Sequence, residues 1–281
     1  MEGRIRGVNE VELHHGSASD VGRVRSQNQD AFLAQPPVFV VADGMGGHED
    51  GDVASRLVIE EFTRLGSPRC SSREGAALVI ATLRACHDRL LELAQAKHAA
   101  GQTEWFSGTT AVVALVVEDE GGPKWLLANL GDSRIYKLSD GELDQVSTDH
   151  SLVQELHDAG EISAAEMRTH PRRNVITRAL GGTSFAQPDF FLLPLTSAER
   201  IVLCSDGVNG MIDDAQIGHI LREAADPRDA AERVVQAAVA AGGEDNATAV
   251  VVDVVGLARA GQVYDSEQQR MSLEEKLGAL P

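Results

Sequence analysis

Three aspartates that lie far apart in the chain have the residue type and the setting of metal ligands. Asp43 and Asp206 each follow an apolar run typical of a strand and precede a Gly, and Asp245 precedes Asn246 shortly before another such run. Any one of them alone is equally typical of a turn or a helix cap. Together they predict a carboxylate cluster, in which like charges repel and a hard divalent cation relieves the repulsion. The sequence therefore predicts a metal site.

The bulk composition indicates an acidic globular protein. The chain has 281 residues and a formal net charge of -18 at pH 7, with 43% hydrophobic but only 4% aromatic residues. This length suits one large domain or two ordinary ones, with a core built mainly of Val, Leu, Ile and Ala. Phosphate backbones and anionic membrane surfaces are bound through Lys and Arg. We therefore expect no nucleic-acid partner, and the charge is explained by solubility.

The cysteines and the apolar runs bear on the compartment. Cys70, Cys86 and Cys204 are isolated, without a C-x-x-C spacing. An odd number of separate cysteines is typical of a reducing compartment and not of a disulfide framework. The N-terminus lacks the apolar segment of a signal peptide, and no stretch reaches the ~18 apolar residues that span a bilayer. We expect a cytoplasmic monomer without direct membrane insertion.

The elements that must position these acids follow from hydrophobic periodicity. Strands are predicted in neighbouring pairs, within residues 11–34 and at 38–42, 110–117, 125–130, 135–138, 143–146, 201–204 and 248–255. Helices are predicted after a cap at Asp50 or Asp52, over 74–100, and near 213–224 and 227–241. Paired strands with grouped helices differ from the strand–helix alternation of a parallel sheet. The pattern predicts an α+β fold of antiparallel sheets covered by helices.

Three segments depart from this regular pattern. Residues 43–48 are rich in glycine and predict a tight turn. Residues 149–180 are polar, with short helical pieces and few apolar anchors, which favours mobility. The residues from 257 to 281 are polar again and are interpreted as an extension outside the core domain.

Six short motifs, in this order, make the chain resemble a known family. It is similar to the metal-dependent serine/threonine protein phosphatases of the PPM (2C) type. The motifs are Arg25–Asp30, Asp43–His48, Gly108–Thr110, Gly131–Arg134, Ser205–Gly207 and Gly243–Asn246. Two longer segments, Asp149–Leu156 and His170–Gly181, resemble the bacterial branch of that family. The resemblance covers about residues 16–256.

The resemblance implies a fold, a domain plan and an activity. The fold is a four-layer α-β-β-α sandwich, and the catalytic domain spans residues 1–256, with its core at about 16–256 and a mobile flap at about 149–180. The activity is hydrolysis of phosphoserine and phosphothreonine on proteins by a metal-bridged hydroxide. The cofactors are two Mn²⁺ or Mg²⁺ ions, with a possible third, which suits phosphoryl transfer. The partners are phosphorylated proteins, among them a bacterial serine/threonine kinase and its targets.

The resemblance also gives roles to individual acids. Asp43 bridges the two metals, and Asp206 and Asp245 complete the protein ligands of the first. Gly44 offers its main-chain carbonyl to the second metal, where a side chain would obstruct the sharp turn. Asp132 matches the position that binds a third metal, which shares Asp206. Asp30 matches an acid that orients metal-bound water.

Three other residues beside these acids receive roles with alternatives. Arg25 matches the arginine that grips phosphate with its guanidinium fork, whereas alone it is a solvated surface charge. His48 is a candidate general acid for the leaving oxygen, and the alternative is a packing role beside the next helix. Gln29 replaces the Glu more common in the family, which predicts weaker binding of the second metal.

Residues further from the acids receive weaker assignments. Arg172, Arg173 and Arg178 in the flap are candidates for holding a phosphopeptide, or for pairing with neighbouring acids. His170 is expected to be structural. The hydroxyls of Gly108–Thr110 are expected to satisfy nearby carboxylates.

The sequence leaves three alternatives to this kind of protein phosphatase. A catalytically weak relative that acts as a phosphoprotein-binding regulator is the first alternative, favoured only by Gln29. A different metal phosphoesterase, such as a nuclease, is disfavoured by the acidic composition and the lack of a basic groove. A phosphatase that controls a sigma-factor regulator would differ in partner and not in chemistry.

Overall fold

The structure is a computed structural model that describes residues 2–5, 9–46, 50–102 and 105–259. Its strands, in chain order, are β1 (Glu2–Ile5), β2 (Asn9–Asp20), β3 (Asp30–Gln35), β4 (Val38–Gly46), β5 (Ser107–Thr109), β6 (Ala111–Asp119), β7 (Gly122–Leu130), β8 (Arg134–Ser139), β9 (Glu142–Gln145), β10 (Asp189–Pro194), β11 (Arg200–Cys204) and β12 (Ala247–Arg259). All of the predicted strands are present, together with β1, β5 and β10, for which no strand was predicted.

The described strands form two antiparallel sheets. The first has the order β1-β2-β12-β11-β8-β9, and the second has the order β10-β7-β6-β4-β3, with β5 pairing to the far end of β4. The two strands predicted within residues 11–34 therefore belong to different sheets. The Asp140-Gly141 pair joins β8 to β9 with positive φ at both residues, as expected of a tight hairpin turn.

The described residues form seven α-helices, of which the first two cover one sheet and the last three cover the other, while the third and fourth lie in the 149–180 segment. They are α1 (Gly51–Thr63), α2 (Ser72–Ala99), α3 (Leu152–Asp158), α4 (Ala164–Met167), α5 (Asp206–Asn209), α6 (Asp214–Glu223) and α7 (Pro227–Ala241), with a 3-10 turn at Leu195–Ser197. A capping box between Ser71 and Glu74 begins α2, and Pro227 occupies the first turn of α7. Asp50 precedes α1, but its side chain makes no capping hydrogen bond. Asp50 therefore occupies the predicted N-cap position, but the predicted capping by its side chain is wrong.

Alternation along β4 explains the layers. Val38, Val40 and Ala42 pack with α1 and α2, whereas Phe39 and Val41 pack into the space between the sheets. A third cluster joins the outer face of β8, β11 and β12 to α6 and α7. Successive strand residues point to opposite faces, so a strand buried on both sides is apolar throughout. The four-layer α-β-β-α sandwich expected from the resemblance is confirmed.

The predicted glycine turn at residues 43–48 is a strand through Gly46. At that end β4 leaves β6 and pairs with β5, so that Gly44 faces Thr109 and Gly46 faces Ser107. A Cβ on Gly46 would lie 2.9 Å from the Phe106 carbonyl oxygen, so glycine permits this close pairing. Residues 47–49 lie outside the described residues.

The outer limits of the domain remain a prediction. β12 continues through Arg259 and pairs with β2 up to Asn9. Residues 260–281 of the predicted extension lie outside the described residues. In the part of the chain that is described, no helix is both long and apolar enough to cross a bilayer.

Candidate active site

The pairing of β3 with β4 places two of the predicted acids side by side. Asp30 begins β3 and is the Cα partner of Asp43 in β4. The Asp43 carbonyl accepts hydrogen bonds from the Thr110 N–H and from the Thr109 hydroxyl, both at 2.9 Å. The Asp43 N–H donates to the Thr110 hydroxyl at 3.1 Å. The threonine hydroxyls therefore hold the main chain of Asp43 where β4 changes partners, and their predicted contact with carboxylates was wrong.

The other sheet supplies two more acids. β11 leads through Ser205 into Asp206, and Asp245 lies just before the neighbouring strand β12. The Ser205 N–H donates to the Thr248 carbonyl at 3.1 Å, and the Thr248 N–H donates to the Ser205 hydroxyl at 3.0 Å. The Ser205 hydroxyl donates to Asp30 Oδ2 at 2.7 Å. This bond links the acids of the two sheets, and sequence reasoning missed it because Ser205 acts across the fold.

Asn246 fixes the loop that carries Arg25. Its Oδ1 accepts from the Gln29 N–H at 2.7 Å, and its Nδ2 donates to the carbonyls of Val21 and Gln27, each at 2.9 Å. One amide side chain thus satisfies three main-chain groups of a single loop. The sequence showed Asn246 inside a motif but gave no signal for these distant partners.

Arg25 reaches back to the acids from this loop. Its Nη2 lies 2.7 Å from Asp245 Oδ2, and 54% of its side chain remains exposed. The hydrogen bond with Asp245 raises the pKa of Arg25. The exposed part faces a depression of about 300 Å³, which is lined by Arg25, Ser26, Gln27, Gln29 and Gly46.

Asp132 follows a turn that requires glycine. Gly131 has a φ of +123°, and a Cβ there would lie 2.5 Å from the Thr110 side chain. The hydroxyls of Ser133 and Thr110 hydrogen-bond at 2.7 Å. Asp132 is thus fixed beside the residue that also holds Asp43, and it is buried, with 7% of its surface exposed.

Burial and mutual repulsion favour the protonated forms of these acids. Burial raises the pKa of Asp30 to about 7. Burial, followed by the charges of Asp30, Asp206 and Asp132, raises the pKa of Asp43 well above its usual range. Burial, followed by the charge of Asp206, does the same for Asp132, and burial, followed by the charge of Asp245, raises the pKa of Asp206. Ionising all of these acids together therefore costs free energy, and a bound cation would offset that cost.

Unpartnered oxygens in the cluster fit a hard cation. Asp30 Oδ1, Asp132 Oδ1 and Asp206 Oδ1 are buried without a hydrogen-bond partner. Such atoms are costly unless something satisfies them. Carboxylates and carbonyls are the ligands that Mg²⁺ and Mn²⁺ prefer. Within the described residues, no three His, Cys, Asp or Glu side chains already converge on one point, and Asp245 is engaged by Arg25.

Gly44 lies where a side chain has no room. A Cβ would approach the Gly51 carbonyl oxygen to 2.0 Å and the Gln29 carbonyl oxygen to 2.7 Å. The Gly44 N–H donates to that Gln29 carbonyl at 3.1 Å. His48 lies outside the described residues, so its role as a general acid stays a prediction.

Comparison with known proteins decides the family. The model of the family described as protein phosphatase 2C matches residues 22–241. The chain belongs to this family. It is 33% identical over 253 residues to the serine/threonine phosphatase stp of Listeria innocua, covering 86% of this chain and 96% of that protein. The expectation of a PPM (2C) phosphatase of the bacterial branch is confirmed.

Solved structures agree with the assignment to protein phosphatase 2C. Serine/threonine phosphatase Stp1 from Staphylococcus aureus superposes with a TM-score of 0.77 at 30% identity, over 87% of this chain and 96% of that one. The catalytic domain of PstP in complex with two manganese ions superposes with a TM-score of 0.74 at 34% identity, over 88% and 99%. The fold of this chain is therefore that of the bacterial protein phosphatase 2C enzymes.

The flap of this protein phosphatase 2C chain is joined to the site at its stem. Ser151 and Ile176 form an isolated bridge, which closes the base of the segment. The Leu180 N–H donates to the Thr109 carbonyl at 2.9 Å, and the Thr109 N–H donates to the Leu180 carbonyl at 3.2 Å. The stem thus ends on the residue that hydrogen-bonds Asp43.

The flap arginines divide between the two predicted roles. Arg178 Nη1 pairs with Asp189 Oδ1 at 2.9 Å, which is the ion-pair alternative. Arg172 and Arg173 are exposed, and neither forms a side-chain ion pair with any described residue. His170 Nδ1 accepts from the Arg172 N–H at 3.2 Å, which agrees with a structural role.

Proposed function

We propose that this protein phosphatase 2C chain hydrolyses phosphoserine and phosphothreonine on proteins with two Mn²⁺ or Mg²⁺ ions in the carboxylate cluster. The main support is the set of buried, unpartnered carboxylate oxygens gathered from both sheets beside Arg25. The relatives named serine/threonine phosphatases, and the manganese complex of PstP, support the same chemistry.

The ligands in this proposal come from four strand ends. Asp43, Asp206 and Asp245 would hold the two cations with their carboxylates, and Gly44 would hold one of them with its main-chain carbonyl. Such a pair of cations supplies an ionised water near neutral pH and neutralises charge on the phosphoryl group. The charge of Asp206 adds to burial in raising the pKa of Asp132, so the two carboxylates lie near each other. Asp132 and Asp206 together would hold a third cation.

Two side chains then act on water and on phosphate. Asp30 is held by the Ser205 hydroxyl at 2.7 Å, and its second oxygen is left to orient a water molecule. Arg25 grips phosphate oxygens with its guanidinium, whose ion pair with Asp245 uses one terminal nitrogen. His48 is retained as the proposed general acid for the leaving oxygen.

The proposal extends to partners and place. The substrates are phosphorylated proteins, among them a serine/threonine kinase and its targets, so the enzyme serves signal transduction. Three free cysteines support a reducing, cytoplasmic location. A monomer is proposed, which light scattering coupled to gel filtration tests. Residues 1–256 are proposed as the catalytic domain and residues 257–281 as its extension.

One assay tests the activity. Purified protein is expected to release phosphate from a phosphothreonine peptide with Mn²⁺, to stop in EDTA, and to lose turnover in Asp206→Asn. Wild-type protein that binds Mn²⁺ but leaves both the phosphothreonine and the phosphoserine peptide intact would contradict the proposal.

A further inference from the structure

His150 is a buried histidine whose two ring nitrogens have different partners. Only 4% of its side chain is exposed. Its Nδ1 lies 3.1 Å from the Gly131 main-chain nitrogen and can only accept that N–H. Its Nε2 lies 3.1 Å from Asp189 Oδ2 and 3.2 Å from Arg178 Nη1. Arg178 donates to Asp189 Oδ1 at 2.9 Å, so the Asp189 carboxylate is the acceptor that both groups share. A neutral ring that accepts at Nδ1 carries its proton on Nε2 and donates it to this carboxylate.

The Nδ1 side of His150 holds the peptide that leads into Asp132. The His150 N–H also donates to the Gly131 carbonyl at 2.9 Å, so both main-chain groups of Gly131 are bound by one residue. With its φ of +123°, Gly131 has a main-chain conformation that few residues adopt. The direction of the next residue, Asp132, therefore depends on these two bonds.

The Nε2 side of His150 holds the flap stem. Asp189 receives Arg178 Nη1 at 2.9 Å on its other oxygen, and Arg178 lies near the C-terminal end of the flap. The His150 carbonyl accepts from the Thr177 N–H at 2.8 Å. One ring thus lies between the Gly131 turn and the stem of the flap.

We propose that His150 is a positioning residue, which aims Asp132 through Nδ1 and secures the flap stem through Nε2. It touches neither substrate nor the reacting atoms. The inference rests on the proposed function in its use of Asp132 as a cation ligand. The same contacts also make a prediction about the flap that needs no turnover.

A double-mutant cycle tests the first half. Mn²⁺ binding is titrated without substrate in wild type, His150→Ala, Asp132→Asn and the double variant. His150→Ala is expected to weaken the Asp132-dependent binding about tenfold or more, as loss of a residue that orients a ligand does. In the Asp132→Asn background the same change is expected to have no further effect. Unchanged binding in either single variant, or an equal loss in both backgrounds, overturns the inference.

Two conservative variants separate the ring nitrogens. His150→Asn keeps an acceptor near Nδ1 but loses the reach to Asp189, so Mn²⁺ binding is expected to recover while trypsin cuts faster after Arg172 and Arg173. His150→Gln keeps a donor near Nε2, so the flap is expected to resist trypsin while Mn²⁺ binding stays weak. Asn and Gln variants that behave alike in both assays overturn the proposal, and neither variant depends on His150→Ala folding.

His219→Ala, an exposed histidine on α6, serves as the matched control and is expected to leave both readouts unchanged. Circular dichroism confirms that each variant is folded before it is compared. Wild type that binds Mn²⁺ without hydrolysing either phosphopeptide refutes the proposed activity alone, since Mn²⁺ titration and trypsin cleavage still test His150.

Discussion

The carboxylate cluster and the flap lie next to each other but are built in opposite ways. The cluster residues stand at strand ends of both sheets, are buried or half-buried, and are held by main-chain hydrogen bonds such as those between Asp43 and Thr110. In the flap, Val153 is the only buried residue between 152 and 179. A site that must hold charge needs fixed geometry, whereas a segment with few buried contacts opens readily. The structure therefore gives the acids fixed positions and leaves the segment beside them with few buried contacts, and we expect that segment to be the more mobile of the two.

The largest expected effect comes from removing a charge inside the cluster. Asp206→Asn is expected to lower kcat on the order of 10³-fold, because cation-based charge stabilisation supplies several kcal/mol. The same change is expected to raise the melting temperature in EDTA, since it removes one of the repelling buried acids. Glu155→Gln in the flap is the matched control and is expected to change neither. A lower melting temperature for Asp206→Asn would contradict the view of the cluster as a source of strain.

Arg25 lies between the carboxylate cluster and the exposed depression, and its replacement tests whether it binds phosphate. Arg25→Ala is expected to raise KM for a phosphothreonine peptide about 10- to 100-fold, because a hydrogen bond to a charged group contributes about 1.5–3 kcal/mol. Mn²⁺ affinity is expected to change far less, since Arg25 competes for Asp245 and donates nothing to a cation. Steady-state kinetics and Mn²⁺ titration separate the two quantities. An unchanged KM would remove Arg25 from phosphate binding.

The raised acid pKa values predict how the metal-free protein responds to pH. Asp30 has an ordinary pKa of 3.8 when unfolded and a pKa of about 7 when folded. Between these values the folded state binds more protons than the unfolded state, so the free energy of unfolding falls as pH rises. The expected fall is roughly 1.4 kcal/mol for each pH unit per such group. Above about pH 7 the contribution of Asp30 levels off.

Denaturant unfolding in EDTA from pH 5 to 8 measures this fall. Burial lowers the pKa of His15 and of His87, and these groups act in the opposite direction as they lose protons. Comparison of wild type with Asp30→Asn cancels their contribution, and the variant is expected to show the shallower decline. Adding Mn²⁺ to wild type is expected to reverse the trend, because the cation binds ionised carboxylates. Parallel curves for the two proteins would exclude Asp30 as a titrating group.

Local chemistry made much of this molecule predictable from its sequence. The Asp140-Gly141 pair marked its hairpin, Pro227 marked the start of α7, and the apolar run from Val38 marked a strand buried on both faces. Each of these features depends on residues next to one another. Hydrophobic periodicity predicted paired strands and grouped helices but not how they are layered. The four-layer arrangement was predicted from the family resemblance, which rests on six motifs in a fixed order.

Features that depend on distant contacts were not predictable in this way. The turn expected at Asp43 is a strand because β5, a three-residue partner far along the chain, pairs with it. β10 was missed because it is an edge strand whose Leu192 is 43% exposed and shows no clean alternation. The contacts of Asn246 and His150 join residues that no spacing rule connects. Such bonds become visible only when the fold is known.

A smaller effect is expected where the cluster meets the Gly44 turn. The Gln29 side chain packs against Gly51, and its carbonyl accepts from the N–H of Gly44. Gln29→Glu adds a carboxylate beside this turn and is expected to tighten binding of the second Mn²⁺ several-fold. Calorimetric titration measures the change, with Gln27→Glu in the same loop as a control for added charge. An equal gain in the control would assign the effect to net charge alone.

The smallest effect is expected in the flap, where we expect any contacts with substrate to be spread over an exposed surface. Arg172 and Arg173 are both exposed, on a chain with a net charge of -18. Replacing both with Ala is expected to raise KM for a phosphothreonine peptide about two- to fivefold, since exposed ion pairs contribute roughly 0.2–1 kcal/mol each. p-Nitrophenyl phosphate, which is too small to span the flap, is expected to show no change. An equal rise in KM for both substrates would mean that the arginines act on the carboxylate cluster. The distinction drawn above between the cluster and the flap would then not hold for these two residues.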